Sequence, residues 1–286
     1  MVGNRGKSFL DIPKEAIALK ALRSSQKKNL VFIISFLCFF CSSLPAESQV
    51  FSKLPASSGS SGKQVALTID DGPHPGYTER ILALLAENKV KANFFLVGKM
   101  AATYPYLVRK IAAQGHTIAN HSHYHNNLVT LPEENMPLEW VMCNSTLYSI
   151  LGTFPRFCRP PGGNYNKQVI AAAEKEGLHM VLWTANAGDC TGISAKAIEK
   201  KVLARTQPGG IILVHDGVDA TIEALPGIIK TLKAKGFRFV TLEEMFPTPP
   251  SSNGQTMKAS SKTRPLHSEE EKDLLEKDAR PSFLTQ

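Results

Sequence analysis

The chain has 286 residues, 43% of them hydrophobic, with a formal charge of +8. That length suits one large domain or two small ones around a substantial core. Residues 1–46 hold seven Lys or Arg against two Asp or Glu, whereas residues 64–246 hold 18 against 16. The excess is therefore terminal, and no basic stripe with interleaved aromatics marks the middle of the chain. This argues against a nucleic-acid partner.

In chain order, Lys20, Arg23, Lys27 and Lys28 precede an apolar run over 30–44, followed by Pro45-Ala46 and polar Glu47-Ser48. The run is shorter than the ~20 residues of a bilayer-spanning helix and has the shape of a signal-peptide core. Residues 1–46 are expected to be a signal peptide, or an N-terminal anchor giving membrane association through 30–44 if uncleaved; a buried core helix is the remaining alternative. The protein is expected to be exported, to the periplasm, cell envelope or medium. Residues 47–63, rich in Ser, Gly and Pro, read as a linker.

From 64 to 246, strand-like and helical patterns alternate. Apolar or β-branched runs predict strands at 65–69, 92–97, 117–119, 157–159, 179–183, 211–214 and 238–241. Helical periodicity fills 77–87, 104–114, 133–151, 167–176, 194–204 and 221–235. Gly115, Gly177 and Gly236 each follow a helix, where a left-handed cap favours glycine. Seven βα-type units imply an α/β fold with a parallel sheet, better closed as a seven-stranded barrel than left open. Residues 247–286, rich in Pro, Ser, Lys and Glu, are expected to be a disordered tail.

Cys38 and Cys41 lie in the apolar run, leaving Cys143, Cys158 and Cys190 in the body. An exported protein can pair two of the three; Cys158 with Cys190 is the expected pair, and three unpaired buried thiols the alternative.

In βα barrels the working residues gather where strands end. Asp70 and Asp71 follow the first strand, His121 and His125 the third. Arg159 ends the fourth, Asp189 follows the fifth and His215 ends the sixth. All seven converge on one rim. Carboxylates with imidazoles are ligand types for a zinc-class ion. His121 and His125, at i and i+4, share a face if their segment is helical; His123 is expected to point elsewhere. Adjacent aspartates on an extended segment face opposite ways, so Asp70 and Asp71 should have separate roles. The bland alternatives are an Asx-turn at Asp71-Gly72-Pro73, a tight loop at Arg159-Pro160-Pro161-Gly162-Gly163, and a satisfied strand-end histidine at His215.

Thr68-Ile69-Asp70-Asp71-Gly72-Pro73, His121-Ser122-x-x-His125, Arg159-Pro160-Pro161-Gly162-Gly163, Trp183 with Asp189, and Leu213-x-His215 together resemble the ordered motifs of the polysaccharide deacetylases, the carbohydrate esterase family with the NodB homology domain. The resemblance spans 64–246. It implies a distorted (β/α)7 barrel forming a single catalytic domain, a bound Zn2+ or another divalent cation such as Co2+, and an acetylated glycan as substrate. By the same resemblance Asp71, His121 and His125 are the metal ligands, Asp70 the general base and His215 the general acid. Arg159 would orient the base and Asp189 the histidine. Gly162, Trp183 and Leu213 would contact substrate. Three positions depart from the pattern: Ile69 replaces a Phe, Gly162 a frequent Tyr, and Cys190 a common Trp. The expected activity is removal of N-acetyl groups from an envelope glycan, most simply GlcNAc or MurNAc of peptidoglycan. The alternatives are a chitin deacetylase, an O-acetyl esterase on xylan or an exopolysaccharide, and a non-catalytic glycan-binding protein.

Overall fold

The computed structural model describes residues 50–52 and 62–247. The expected leader, most of the linker and the tail fall outside those residues. No described helix is long and apolar enough to cross a membrane.

At the centre of the sheet is β2 (Lys63–Asp70), hydrogen-bonded in parallel to β3 (Asn93–Leu96) and β8 (Gly210–His215). Beyond β3 come β4 (Thr117–Asn120), β5 (Phe157–Cys158), β6 (His179–Val181) and β1 (Val50–Phe51), all parallel. On the other side β8 carries β7 (Ala185–Asn186), and β9 (Phe237–Phe239) pairs with the first half of β2. Among the described residues the ladder has two ends, β1 and β7. The expected distorted barrel is thus observed as a curled sheet of nine parallel strands with helices around it.

Both sheet faces are covered, so β2 reads as a continuous buried run instead of alternating with polar residues. Val65, Leu67 and Ile69 pack with Ile81, Leu82 and Leu85 of α1 (Tyr77–Glu87) and with Leu225, Ile228 and Ile229 of α7 (Asp219–Ala234). Ala66 joins Phe95, Ala119, Phe157, Val181 and Ile211 in a second cluster, the barrel interior. This interior also contains Leu242 and Met245 of α8 (Leu242–Met245) and Phe246, which follow β9. Since β9 pairs with Lys63 to Val65 at the start of β2, these side chains close the interior at the N-terminal end of the strands. The opposite end is left for chemistry.

The remaining helices are α2 (Gly98–Thr103), α3 (Pro105–Ala113), α4 (Met136–Leu151), α5 (Lys167–Lys175) and α6 (Ala195–Arg205). They match the predicted ones except α2, a short helix that the periodicity did not reveal. Gly115, Gly177 and Gly236 adopt φ of 74°, 71° and 81°, the left-handed conformation expected after a helix.

Two expectations are corrected here. Val50 and Phe51 are not linker: they pair with Met180 and Val181, and Phe51 stacks on Phe246 with centroids 4.4 Å apart. Cys158 and Cys190 do not pair. Cys143, Cys158 and Cys190 are all free, Cys158 buried beside Trp140 and Met180 and Cys190 exposed on the mouth side. A strand residue facing that packed layer cannot reach a loop residue beyond the next strand end.

Replacing Phe51 with Ala should lower stability by about 1–2 kcal/mol, the transfer energy of a partly buried aromatic ring. A urea midpoint unchanged by the substitution would show that β1 does not belong to the cooperative unit.

Candidate active site

The sheet register alone sets Asp70 beside His215, because they are paired positions at the C-terminal ends of β2 and β8. His121 and Arg159 follow the ends of β4 and β5, whose Asn120 and Cys158 are likewise register partners. All seven predicted side chains lie at this end of the sheet.

Arg159 is fully buried and every described bond of its guanidinium has a purpose. Nη1 donates to Asp70 Oδ1 at 2.7 Å and Thr68 Oγ1 at 2.9 Å, Nε to the Val181 carbonyl and Nη2 to the Leu182 carbonyl. The group lies over the Phe95 ring at 4.1 Å, with the Trp183 ring at 5.5 Å. Removing one partner from such a buried pair strands the other charge. Asp70 is thereby pinned through Oδ1, and its Oδ2 stands 3.7 Å from His121 Nε2.

Asp71 leaves the strand at φ 77°, which turns its carboxylate towards the histidine segment. Its Oδ1 lies 3.3 Å from His121 Nε2 and 3.0 Å from His125 Nε2. His121 Nδ1 donates to the Arg159 carbonyl at 2.8 Å; a carbonyl only accepts, so Nδ1 carries the proton and Nε2 of the neutral ring a lone pair. A lone pair thus faces a carboxylate oxygen that has no hydrogen bond of proper geometry. Two acceptors converging in this way suit a cation between them, and Asp71, His121 and His125 form a possible metal site. Burial alone would raise the Asp71 carboxyl; with the two rings protonated instead, their charge and hydrogen bonds hold it well below the usual carboxylate range.

The segment carrying the histidines is not helical, contrary to the condition attached to the i, i+4 spacing. Ser122 and His125 instead adopt φ of 63° and 61°, and this doubled-back loop brings the rings to 5.0 Å. Left-handed non-glycine residues cost roughly 1–3 kcal/mol each and need surrounding bonds to hold them. Those bonds come from residues that were not singled out in the sequence. Glu139, 3% exposed on α4, accepts the His123 and Tyr124 N–H groups through Oε2 and Asn126 Nδ2 through Oε1. Asn120 Oδ1 accepts the Ser122 N–H, and Ser122 Oγ the His125 N–H. On the other side, the first N–H groups of α2 donate to the Ser122 and His123 carbonyls, where a methyl group at Gly98 would strike His123. The available signal was a Glu and an Asn144 on the buried face of α4, among Met136, Trp140, Cys143 and Leu147. Asn144 is also buried, and its Oδ1 accepts from Asn120 Nδ2 at 2.8 Å.

His215 turns Nδ1 to Asp189 Oδ1 at 2.8 Å. Asp189 Oδ2 accepts the His215 N–H and the Thr221 hydroxyl, so this carboxylate is held by three donors. Burial would lower the His215 imidazole, but Asp189, with Cys190 and Asp70, pushes it up to about 11. Trp183 is half-buried against Gly163, whose φ of 72° keeps the close approach open to glycine. Leu213 is buried two residues before His215, and Gly162 lies in the turn after Arg159.

A family model described as polysaccharide deacetylase matches residues 57–181. A peptidoglycan-N-acetylglucosamine deacetylase of Bacillus cereus is 38% identical over 65% of this chain and 69% of its own length. The chain belongs to the polysaccharide deacetylase family. A chitooligosaccharide deacetylase of Sinorhizobium fredii is 34% identical over 63% of this chain and 90% of its own. Among solved structures, a peptidoglycan N-acetylglucosamine deacetylase in complex with 4-naphthalen-1-yl-N-oxidanyl-benzamide superimposes with a TM-score of 0.65. It is 37% identical and covers 70% of this chain and 93% of that one. The curled parallel sheet described above is thus this family's fold, and the chain is a polysaccharide deacetylase by family and architecture.

Replacing Glu139 with Ala strands two backbone N–H groups. The expected cost is about 2–4 kcal/mol, seen in chemical denaturation, with faster hydrogen exchange at the 123 and 124 amides. Slow exchange there in the variant would show that Glu139 does not hold the loop.

Proposed function

We propose that the chain removes N-acetyl groups from the GlcNAc or MurNAc residues of peptidoglycan, after export through the leader expected in residues 1–46. One observation carries the reading. The acceptor pair Asp71 Oδ1 and His121 Nε2 faces a common point, with a pinned carboxylate, Asp70, and a carboxylate-bound imidazole, His215, on neighbouring strand ends. The peptidoglycan-N-acetylglucosamine deacetylase of B. cereus supports the substrate class; a chitooligosaccharide is the second reading, favoured by the rhizobial relative.

Asp71, His121 and His125 are assigned as the metal ligands, with Zn2+ as the ion that best suits one carboxylate and two imidazoles; Co2+ suits the same set. A bound divalent ion supplies Lewis-acid polarisation of an acetyl carbonyl and acidifies water. Asp70 takes the proton of the attacking water through Oδ2 while Arg159 keeps Oδ1 fixed. The oxyanion that develops is met by the Gly162 backbone N–H. His215, protonated under the influence of Asp189, gives its Nε2 proton to the nitrogen as the carbon–nitrogen bond breaks, because an amine leaves poorly unless protonated. Trp183 and Leu213 form the apolar wall for the acetyl methyl.

Purified protein should release acetate from peptidoglycan, lose the activity to a chelator and regain it with Zn2+ or Co2+. Asp70→Asn should lower kcat by about 10²–10⁴-fold while metal binding persists. An Asp70→Asn variant as active as the parent would remove the base assignment. Absence of acetate from peptidoglycan, chitooligosaccharides and O-acetylated xylan alike, with metal bound, would favour a glycan-binding protein.

A further inference from the structure

One thiol at the mouth, that of Cys190, is left over from this chemistry. Cys190 is exposed, whereas Cys143 and Cys158 are sealed in the core. Cys190 directly follows Asp189, whose carboxylate holds the His215 ring. Its Sγ, a ring nitrogen of His215 and a carboxylate oxygen of Asp189 all lie within 4.8 Å of one another. They come from two short segments already locked together by the bonds from His215 and Thr221 to Asp189. We propose that Asp189, Cys190 and His215 form a second cation site that takes a thiophilic divalent ion and, when filled, disables His215.

The ligand types decide the class of ion. Thiolate, imidazole and carboxylate together suit Zn2+ or a softer ion and disfavour Mg2+ or Ca2+, which take oxygen donors. Ligand separations across a tetrahedral ion with bonds of about 2.0–2.3 Å are shorter than 4.8 Å, so a modest inward rotation of the exposed Cys190 side chain closes the site. An ion bound there takes the place of a proton on the ring and on the thiol. It therefore competes with His215 protonation, and the site should fill after the Asp71 site. The consequence for turnover rests on the acid role assigned to His215 above; the binding itself does not.

The test titrates the full-length, chelator-stripped protein with Cd2+, following stoichiometry by calorimetry and near-ultraviolet thiolate-to-metal absorption. The parent should take up a second equivalent accompanied by that absorption. Cys190→Ser should lose both and keep the first equivalent and the basal deacetylation. Cys190→Ala serves the same purpose should the serine variant misfold. His125→Ala should lose the first equivalent and keep the absorption. Excess Zn2+ should inhibit acetate release by the parent and leave Cys190→Ser active. Absence of a second equivalent in the parent, or its persistence with the absorption in both Cys190 variants, overturns the site. Equal zinc inhibition of parent and variant overturns its effect on His215. A Cys190-dependent absorption in a protein that never releases acetate would leave the cation site standing and overturn the deacetylase reading instead.

Discussion

Arg159 is the constraint on which the site depends. Its side chain spans β2 and the end of β6, fixing one oxygen of Asp70, while its backbone carbonyl fixes the tautomer of His121. A single residue thus dictates both the orientation of a carboxylate and the direction of an imidazole lone pair. Burying a guanidinium is unfavourable unless its donors are used, and here they reach two carbonyls, a hydroxyl and a carboxylate. The flat group also needs its faces covered, which Phe95 and Trp183 do. Lysine would satisfy none of this geometry, because it offers a point charge without the planar fork.

Around that anchor stand three of the four left-handed non-glycine residues among the described residues, Lys89 being the exception. Asp71, Ser122 and His125 adopt left-handed backbone within two neighbouring loops. Each redirects a side chain or carbonyl that an ordinary strand exit would send elsewhere. The stabilising bonds come from Glu139, Asn120 and the start of α2, none of which reaches the converging oxygen and nitrogen atoms themselves. The histidine loop is therefore held from opposite sides, by Glu139 of α4 and by the start of α2.

Much of this was legible in the sequence because the relevant residues stand directly at strand ends, where topology alone forces convergence. Asp70, His121, Arg159 and His215 needed no knowledge of loop conformation. His125 did: its spacing from His121 suggested a helix, yet two left-handed residues achieve the same proximity by a different path. Glu139 was illegible because a helix of mixed burial pattern hides one buried carboxylate among apolar neighbours. Strands β1 and β7, two residues each, carry no periodicity to read. Cys158 and Cys190 stay apart because each one's adjacency to a site residue in the sequence says nothing of which side of a strand its thiol faces.

The stacking of Phe51 on Phe246 has a geometric corollary. These residues stand near the two ends of the described chain, and Phe51 packs against the cluster that holds Leu242, Met245 and Phe246. Loosening either end of the described chain therefore uncovers the ring of the other, which couples the two extremities in a single packing event.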